Sequence, residues 1–232
     1  DVDGNDYGIR FGDFNGDGYA DYIRGQTGQT FNVHLNKGDG TGWTGGTSVT
    51  GSPAYFVDSN FNDTGARVID INGDGLDDIV RKGSPDGTGQ MYINQGDGTS
   101  WSNVAGTGVP AITTTDGADY GTRLMDIDAD GLTDIVVSTP TRGIGFYVNQ
   151  GNGTVFTSKS INPIPYFMDS REVEDWGTRI MNANSDGIPD FVVSKTGETK
   201  YNYLSEGKPV DVLKAIRLPS GGTMTMSYQG IW

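Results

Sequence analysis

The sequence has no cysteine, a single histidine, and only four glutamates among its 30 acidic residues. Without cysteine there is no disulfide framework, thiol nucleophile or thiolate-bound metal. With one histidine, a Ser–His–Asp or Cys–His arrangement has almost nothing to draw on. Glutamate favours helices, whereas the 26 aspartates and 37 glycines favour tight turns, so the chain reads as strands joined by turns with little helix. No apolar run approaches the length of a membrane-spanning helix. Basic residues are scarce as well: 16 Lys and Arg leave a formal net charge of −14 over 232 residues, which argues against nucleic acid or an anionic membrane as a partner. The chain opens on "DVDGNDYG", without methionine or a signal peptide and inside a patterned segment, and is read as a processed or excised piece of a longer protein.

What the sequence does contain is a repeat. "YGIRFGDFNGDGYADYIRG" from Tyr7, "TGARVIDINGDGLDDIVRK" from Thr64, "YGTRLMDIDADGLTDIVVS" from Tyr120 and "WGTRIMNANSDGIPDFVVS" from Trp176 align with one another. Their first loop positions, Asp13, Asp70, Asp126 and Asn182, are spaced by 57, 56 and 56 residues. A second motif trails the first three: "FNVHLNKGDGTGW", "QMYINQGDGTSW" and "GFYVNQGNGTVF", ending at Trp43, Trp101 and Phe156. Each unit offers about four short strands, and that content at this period predicts an all-β chain of β-propeller blades. The expected blades are about 1–55, 56–113, 114–170 and 171–208. Four blades are too few to close a ring on this reading, so further blades are expected before Asp1. The tail, 209–232, alternates apolar and polar residues around "PSGG" and predicts a C-terminal β-hairpin leading to a following region.

Each acidic loop, numbered from its first acid, carries oxygen-bearing side chains at positions 1, 3, 5 and 9. These are Asp13, Asn15, Asp17 and Asp21, then Asp70, Asn72, Asp74 and Asp78, then Asp126, Asp128, Asp130 and Asp134, and last Asn182, Asn184, Asp186 and Asp190. Position 6 is always glycine, and position 7 (Tyr19, Leu76, Leu132, Ile188) offers a backbone carbonyl. Calcium takes six to eight oxygens, and alternate residues of a tight loop converge on one point. The loops therefore predict calcium sites: three, with the fourth left open because it holds only two carboxylates. A plain Asn-Gly or Asp-Gly turn explains one such pair but not acids in register at 1, 5 and 9. An EF-hand is excluded by the absence of Glu at position 12, where Arg24, Arg81, Val137 and Val193 stand. Loop carboxylates number 3, 3, 4 and 2, so the third loop is expected to bind tightest at equal geometry.

Arg10, Arg67, Arg123 and Arg179 each precede a loop by three residues. Pairing with a carboxylate of the same or a neighbouring blade is one reading, and a basic channel for an anion is the other. Trp43, Trp101 and Phe156 suit packing between blades, or stacking on sugars in a carbohydrate-binding alternative. His34 alternates with Val33 and Leu35 as a strand residue does. No catalytic group is assigned; a hydrolase using loop acids such as Asp134 is the remote third reading.

The motifs "FGDFNGDGYADYIRG" and "DINGDGLDDIV" resemble the FG-GAP/VCBS-type repeat of calcium-bearing propellers, such as integrin α-chain heads and several lectins. The resemblance implies a β-propeller with calcium in the hairpin loop between the first two strands of each blade. Asn182 and Asn184 depart from it. The tail "DVLKAIRLPSGGTMTMSY" resembles the segment that follows such repeats in SpvB-like proteins and in B components of bacterial Tc toxins. That resemblance implies a secreted or cell-surface bacterial protein with a toxic cargo in an RHS-type shell, docking on a protein partner, a translocation or assembly component.

Overall fold

The structure, a computed structural model, describes residues 4–51, 54–83, 88–159, 164–168, 175–195 and 201–204, and the strands Ala215–Arg217 and Thr223–Thr225. Among the described residues there are strands and no helices. The strands form consecutive blades of a β-propeller, as the repeat predicts. Blade 1 comprises β1 (Ile9–Gly12), β2 (Asp21–Arg24), β3 (Asn32–His34) and β4 (Thr47–Ser48). Blade 2 comprises β5 (Ala66–Ile69), β6 (Asp78–Arg81), β7 (Gly89–Asn94) and β8 (Trp101–Gly106). Blade 3 comprises β9 (Thr122–Met125), β10 (Asp134–Thr139), β11 (Gly143–Asn149) and β12 (Phe156–Lys159). Each is an antiparallel meander in sequence order. The fourth sheet holds β13 (Thr178–Met181), β14 (Asp190–Val193) and β15 (Tyr201–Tyr203) among the described residues. The tail supplies an antiparallel pair, β16 (Ala215–Arg217) with β17 (Thr223–Thr225), with Ile216 opposite Met224. The "PSGG" turn between them lies outside the described residues.

The core lies between blades rather than within them. Alternation along a strand sends successive side chains to opposite faces of its sheet. Both faces of an internal blade meet a neighbour, so both are apolar. On β6, Ile79 joins Phe14, Ile23 and Val33 of blade 1, while Val80 joins Ile135 and Phe156 of blade 3. On β10 the next residue along, Val136, packs with Phe167 and Phe191 toward the fourth sheet. Trp101 and Phe156 are each 3% exposed and belong to these junctions, so they pack between blades and present no face to a sugar. Trp43 alone of the trio is open, at 42%.

The outer strands are also tied. Thr50 makes a parallel bridge to Ser100, and Thr107 to Val155, so the end of each outer strand hooks the start of the next. Each hook is followed by a glycine with positive φ, Gly51 (84°) and Gly108 (78°). A Cβ at Gly108 would stand 1.9 Å from the Phe156 carbonyl oxygen.

Gly108→Ala is expected to cost at least about 3 kcal/mol, from left-handed strain plus a backbone clash. Gly143→Ala, at φ 81° with open space around it, is expected to cost about 1 kcal/mol. Urea midpoints of the two variants decide it; equal losses would refute the hook.

Candidate functional site

The acidic loops connect the first two strands of every blade, and each is wired by its own polar groups. The first-position carboxylates of Asp13 and Asp70 accept the N–H groups of positions 4 and 6 at 2.7–2.8 Å. Asp126 accepts those of Asp130 and Gly131 at 3.2 and 2.9 Å. Fifth-position Asp17, Asp74, Asp130 and Asp186 accept the N–H of Tyr19, Leu76, Leu132 and Ile188 at 2.8–2.9 Å. The chain turns left-handed at positions 4 and 6. Glycine supplies this at position 6 throughout, but Ala129 (φ 59°) and Ser185 (φ 62°) adopt it at position 4. Position 7 joins one loop to the next: Leu76 lies against Gly16 of the preceding loop, and Leu132 against Gly73.

The third loop brings together Asp126, Asp128 and Asp130, with one carboxylate oxygen of each within 4.8 Å of the others. Asp128 Oδ1 is shielded from solvent and has no hydrogen-bond partner among the described residues. A buried oxygen without a donor costs free energy unless a cation takes the donor's place. The donors are all oxygen and negatively charged, which fits a hard divalent cation such as calcium. Asp134 stands outside this group. In the first and second loops Asn15 and Asn72 replace the third acid, and in the fourth loop Asn182 lies exposed at the first position.

The ninth-position acids lie deeper than the other acids of each loop. Asp21, Asp78, Asp134 and Asp190 are wholly buried. One carboxylate oxygen accepts the N–H of position 2, from Phe14, Ile71, Ile127 and Ala183, at 2.7–3.1 Å. In blades 1 to 3 the other accepts the N–H of an asparagine that follows or ends the third strand: Asn36, Asn94 and Asn149, at 2.7–2.8 Å. Asn94 and Asn149 then reach across the junction, whereas Asn36 Nδ2 donates to the Ala20 carbonyl of its own blade. Asn94 Nδ2 donates to the Phe14 carbonyl at 2.9 Å, and Asn149 Nδ2 to that of Ile71 at 2.8 Å. A third tie pairs Asp13 with Asp77, N–H to carbonyl at 2.9 Å and N–H to carboxylate at 2.7 Å. Sequence reasoning missed the asparagines, although the repeated "N-x-G-x-G" was on view. Burial, with the neighbouring loop acids adding to it, pushes the Asp78 carboxyl up to about 7 and that of Asp134 up to about 6; Asp21 and Asp77 move in the same direction.

The remaining candidates resolve simply. Each conserved-spacing arginine pairs four residues back in its own blade: Arg10–Asp6, Arg67–Asp63, Arg123–Asp119 and Arg179–Asp175, at 2.7–2.9 Å. Each guanidinium is neutralised by its own aspartate, as the pairing reading expects. His34 stacks on Tyr22 with ring centroids 4.3 Å apart, and its Nδ1 faces the Thr44 carbonyl. At the blade ends away from the acidic loops, two grooves of about 470 Å³ each meet at Thr64, Arg81 and Gln90. Their walls carry hydroxyls and amides, among them Thr30, Thr88 and Gln29, with the Tyr55 ring alongside.

Comparison with known proteins agrees with this geometry. The FG-GAP-like repeat family matches residues 13–81 and 126–193. A lectin of Agrocybe aegerita, solved for its specific recognition of non-reducing terminal N-acetylglucosamine, superposes with a TM-score of 0.60 at 19% identity. The match covers 78% of this chain and 44% of the lectin. The Tc holotoxin pore of Photorhabdus luminescens superposes at 0.50 and 20% identity, over 83% of this chain and 8% of that one. At such identities the likeness is one of fold, and this chain spans less than half of either.

In metal-free protein the buried aspartates set a pH slope. Their folded pKa lies above the unfolded 3.8, so the folded state binds the proton more tightly, and the stability this gives is lost as pH rises from about 4 to 7. Thermal midpoints in EDTA are expected to fall across that window, and less so in Asp78→Asn; a rising midpoint would contradict the assignment.

Proposed function

The chain belongs to the FG-GAP-like repeat family, and from that membership and its loop geometry we propose that it is a non-enzymatic, calcium-binding β-propeller serving as a docking module of a larger secreted or surface protein of bacterial origin. The observation that carries the calcium reading is Asp128 Oδ1, buried and without a donor inside a cluster of three carboxylates. Three loops take calcium on this reading, while the fourth has the poorest donor set. Apolar side chains are open on the two outermost described blade sheets. Ile9, Phe11 and Trp43 are exposed on blade 1, and Met181, Tyr203 and Leu204 on the fourth sheet. At the first internal junction the matching place is filled: Val68, which corresponds to Phe11, packs against blade 1. The Tc pore component among the similar folds supports a toxin-complex setting, with a translocation or assembly component as the partner. A non-enzymatic role is supported by His34, engaged in stacking, and by Asp134, braced beneath its loop.

Calcium at tenfold over a dissociation constant of roughly 10⁻⁴–10⁻³ M contributes about 1.4 kcal/mol per site. The melting temperature is therefore expected to rise by roughly 3–5 °C per filled site on moving from EDTA to millimolar calcium. Asp128→Ala/Asp130→Ala, which leaves the Asp134 brace intact, is expected to lose one site's share. No rise in the wild type would overturn the calcium reading.

A second reading, carbohydrate binding, is favoured by one observation, the hydroxyl- and amide-lined groove at Thr64, Arg81 and Gln90. The lectin among the similar folds supports it too. A glycan array separates the two readings. Silence is the outcome expected for protein docking, while signals abolished by Gln90→Leu would establish the groove as a sugar site.

A further inference from the structure

The third loop differs from the others in the residue type at position 3, and a second residue answers the difference. In the first, second and fourth loops position 3 is asparagine. There its Nδ2 donates to the position-5 carboxylate, Asn15 to Asp17, Asn72 to Asp74 and Asn184 to Asp186, at 2.8–2.9 Å. In the third loop Asp128 has no such donor and adds a charge beside Asp126 and Asp130. Lys159, 31 residues away at the end of β12, places Nζ 3.1 Å from Asp128 Oδ2. Counted from Trp43, Trp101 and Phe156, the corresponding positions of the first two blades hold Gly46 and Val104. The cation stands in the blade whose loop has the extra acid.

We propose that Lys159 is a tethered counter-ion of the third loop that holds its calcium affinity down to the level of the other loops, an inference that rests on the calcium reading above. The ammonium engages Asp128 Oδ2 and leaves Oδ1 without a hydrogen-bond donor. An entering divalent ion meets a positive charge a few ångströms off, and must either tolerate it or displace it from Asp128. Both lower affinity. Because Lys159 is half exposed, the penalty is modest, about threefold to tenfold in the dissociation constant. Four carboxylates with one lysine carry the same net charge as the three carboxylates of the first and second loops. On this proposal, carboxylate number alone no longer makes the third loop the tightest.

The test is a calcium titration of ¹⁵N-labelled, EDTA-stripped chain at low ionic strength. It follows the amide of Gly131 for the third loop and that of Gly75 for the second. Lys159→Met, a neutral side chain of similar length at an exposed position, is expected to lower the Gly131 midpoint threefold or more and leave Gly75 unchanged. Lys159→Arg is expected to keep the wild-type midpoint. An unchanged Gly131 midpoint in Lys159→Met, or an equal shift at both glycines, overturns the role of Lys159 while leaving the calcium reading in place. No response at either glycine up to 10-fold the highest expected dissociation constant, roughly 10⁻³ M, overturns the calcium reading and this inference with it.

Discussion

A carboxylate sealed from water and held by two backbone N–H groups is the constraint on which the architecture turns. At Asp21, Asp78 and Asp134 one oxygen closes the acidic loop onto its own strand, and the other fixes the asparagine by the third strand. Buried charge is costly without strong hydrogen bonds. Charge-assisted bonds from backbone N–H offset that cost and also orient the asparagine. In blades 2 and 3 that asparagine then binds the carbonyl of the previous loop. The loop, the blade and the junction are thus settled by one side chain, with the apolar clusters filling the space it defines.

The balance of charge follows a local rule. A chain with a formal net charge of −14 gives its few cations specific posts. Four arginines each neutralise an aspartate four residues back, in a "D-x-G-x-R" pattern that recurs with the repeat. The glycine between them donates its N–H to the same aspartate at 2.7–2.8 Å, tightening the turn into the first strand. Arg10 and Arg123 also lie over Phe56 and Phe167, extending the brace to the rings that seal the next junction.

Blade content and strand order were legible because the period of about 56 residues carries the pattern four times over. The acids at positions 1, 3 and 5 of the third loop were legible too, since alternate residues of a tight turn must converge. The ninth-position acids were harder: spacing marks them as oxygen donors but says nothing of burial, which depends on the neighbouring blade covering them. The motif of Asn94 and Asn149 was on view, but their role was not, as their partners Phe14 and Ile71 lie 80 and 78 residues away. Lys159 offered no signal either, standing in an otherwise unremarked strand end. Trp101 and Trp43 share a motif yet differ in exposure, because only the first has a blade packed against its face.

The ties between blades join each loop only to the blade that follows it: loop carbonyl to the next blade's asparagine, and Asp13 reciprocally with Asp77. A blade can then be detached only after the latch to its neighbour opens. Pulled from one end, such a molecule gives way in steps the size of a repeat, like a zip with widely spaced teeth, instead of all at once. These latches sit at the acidic turns, so resistance to mechanical load, and not only to heat, is set there.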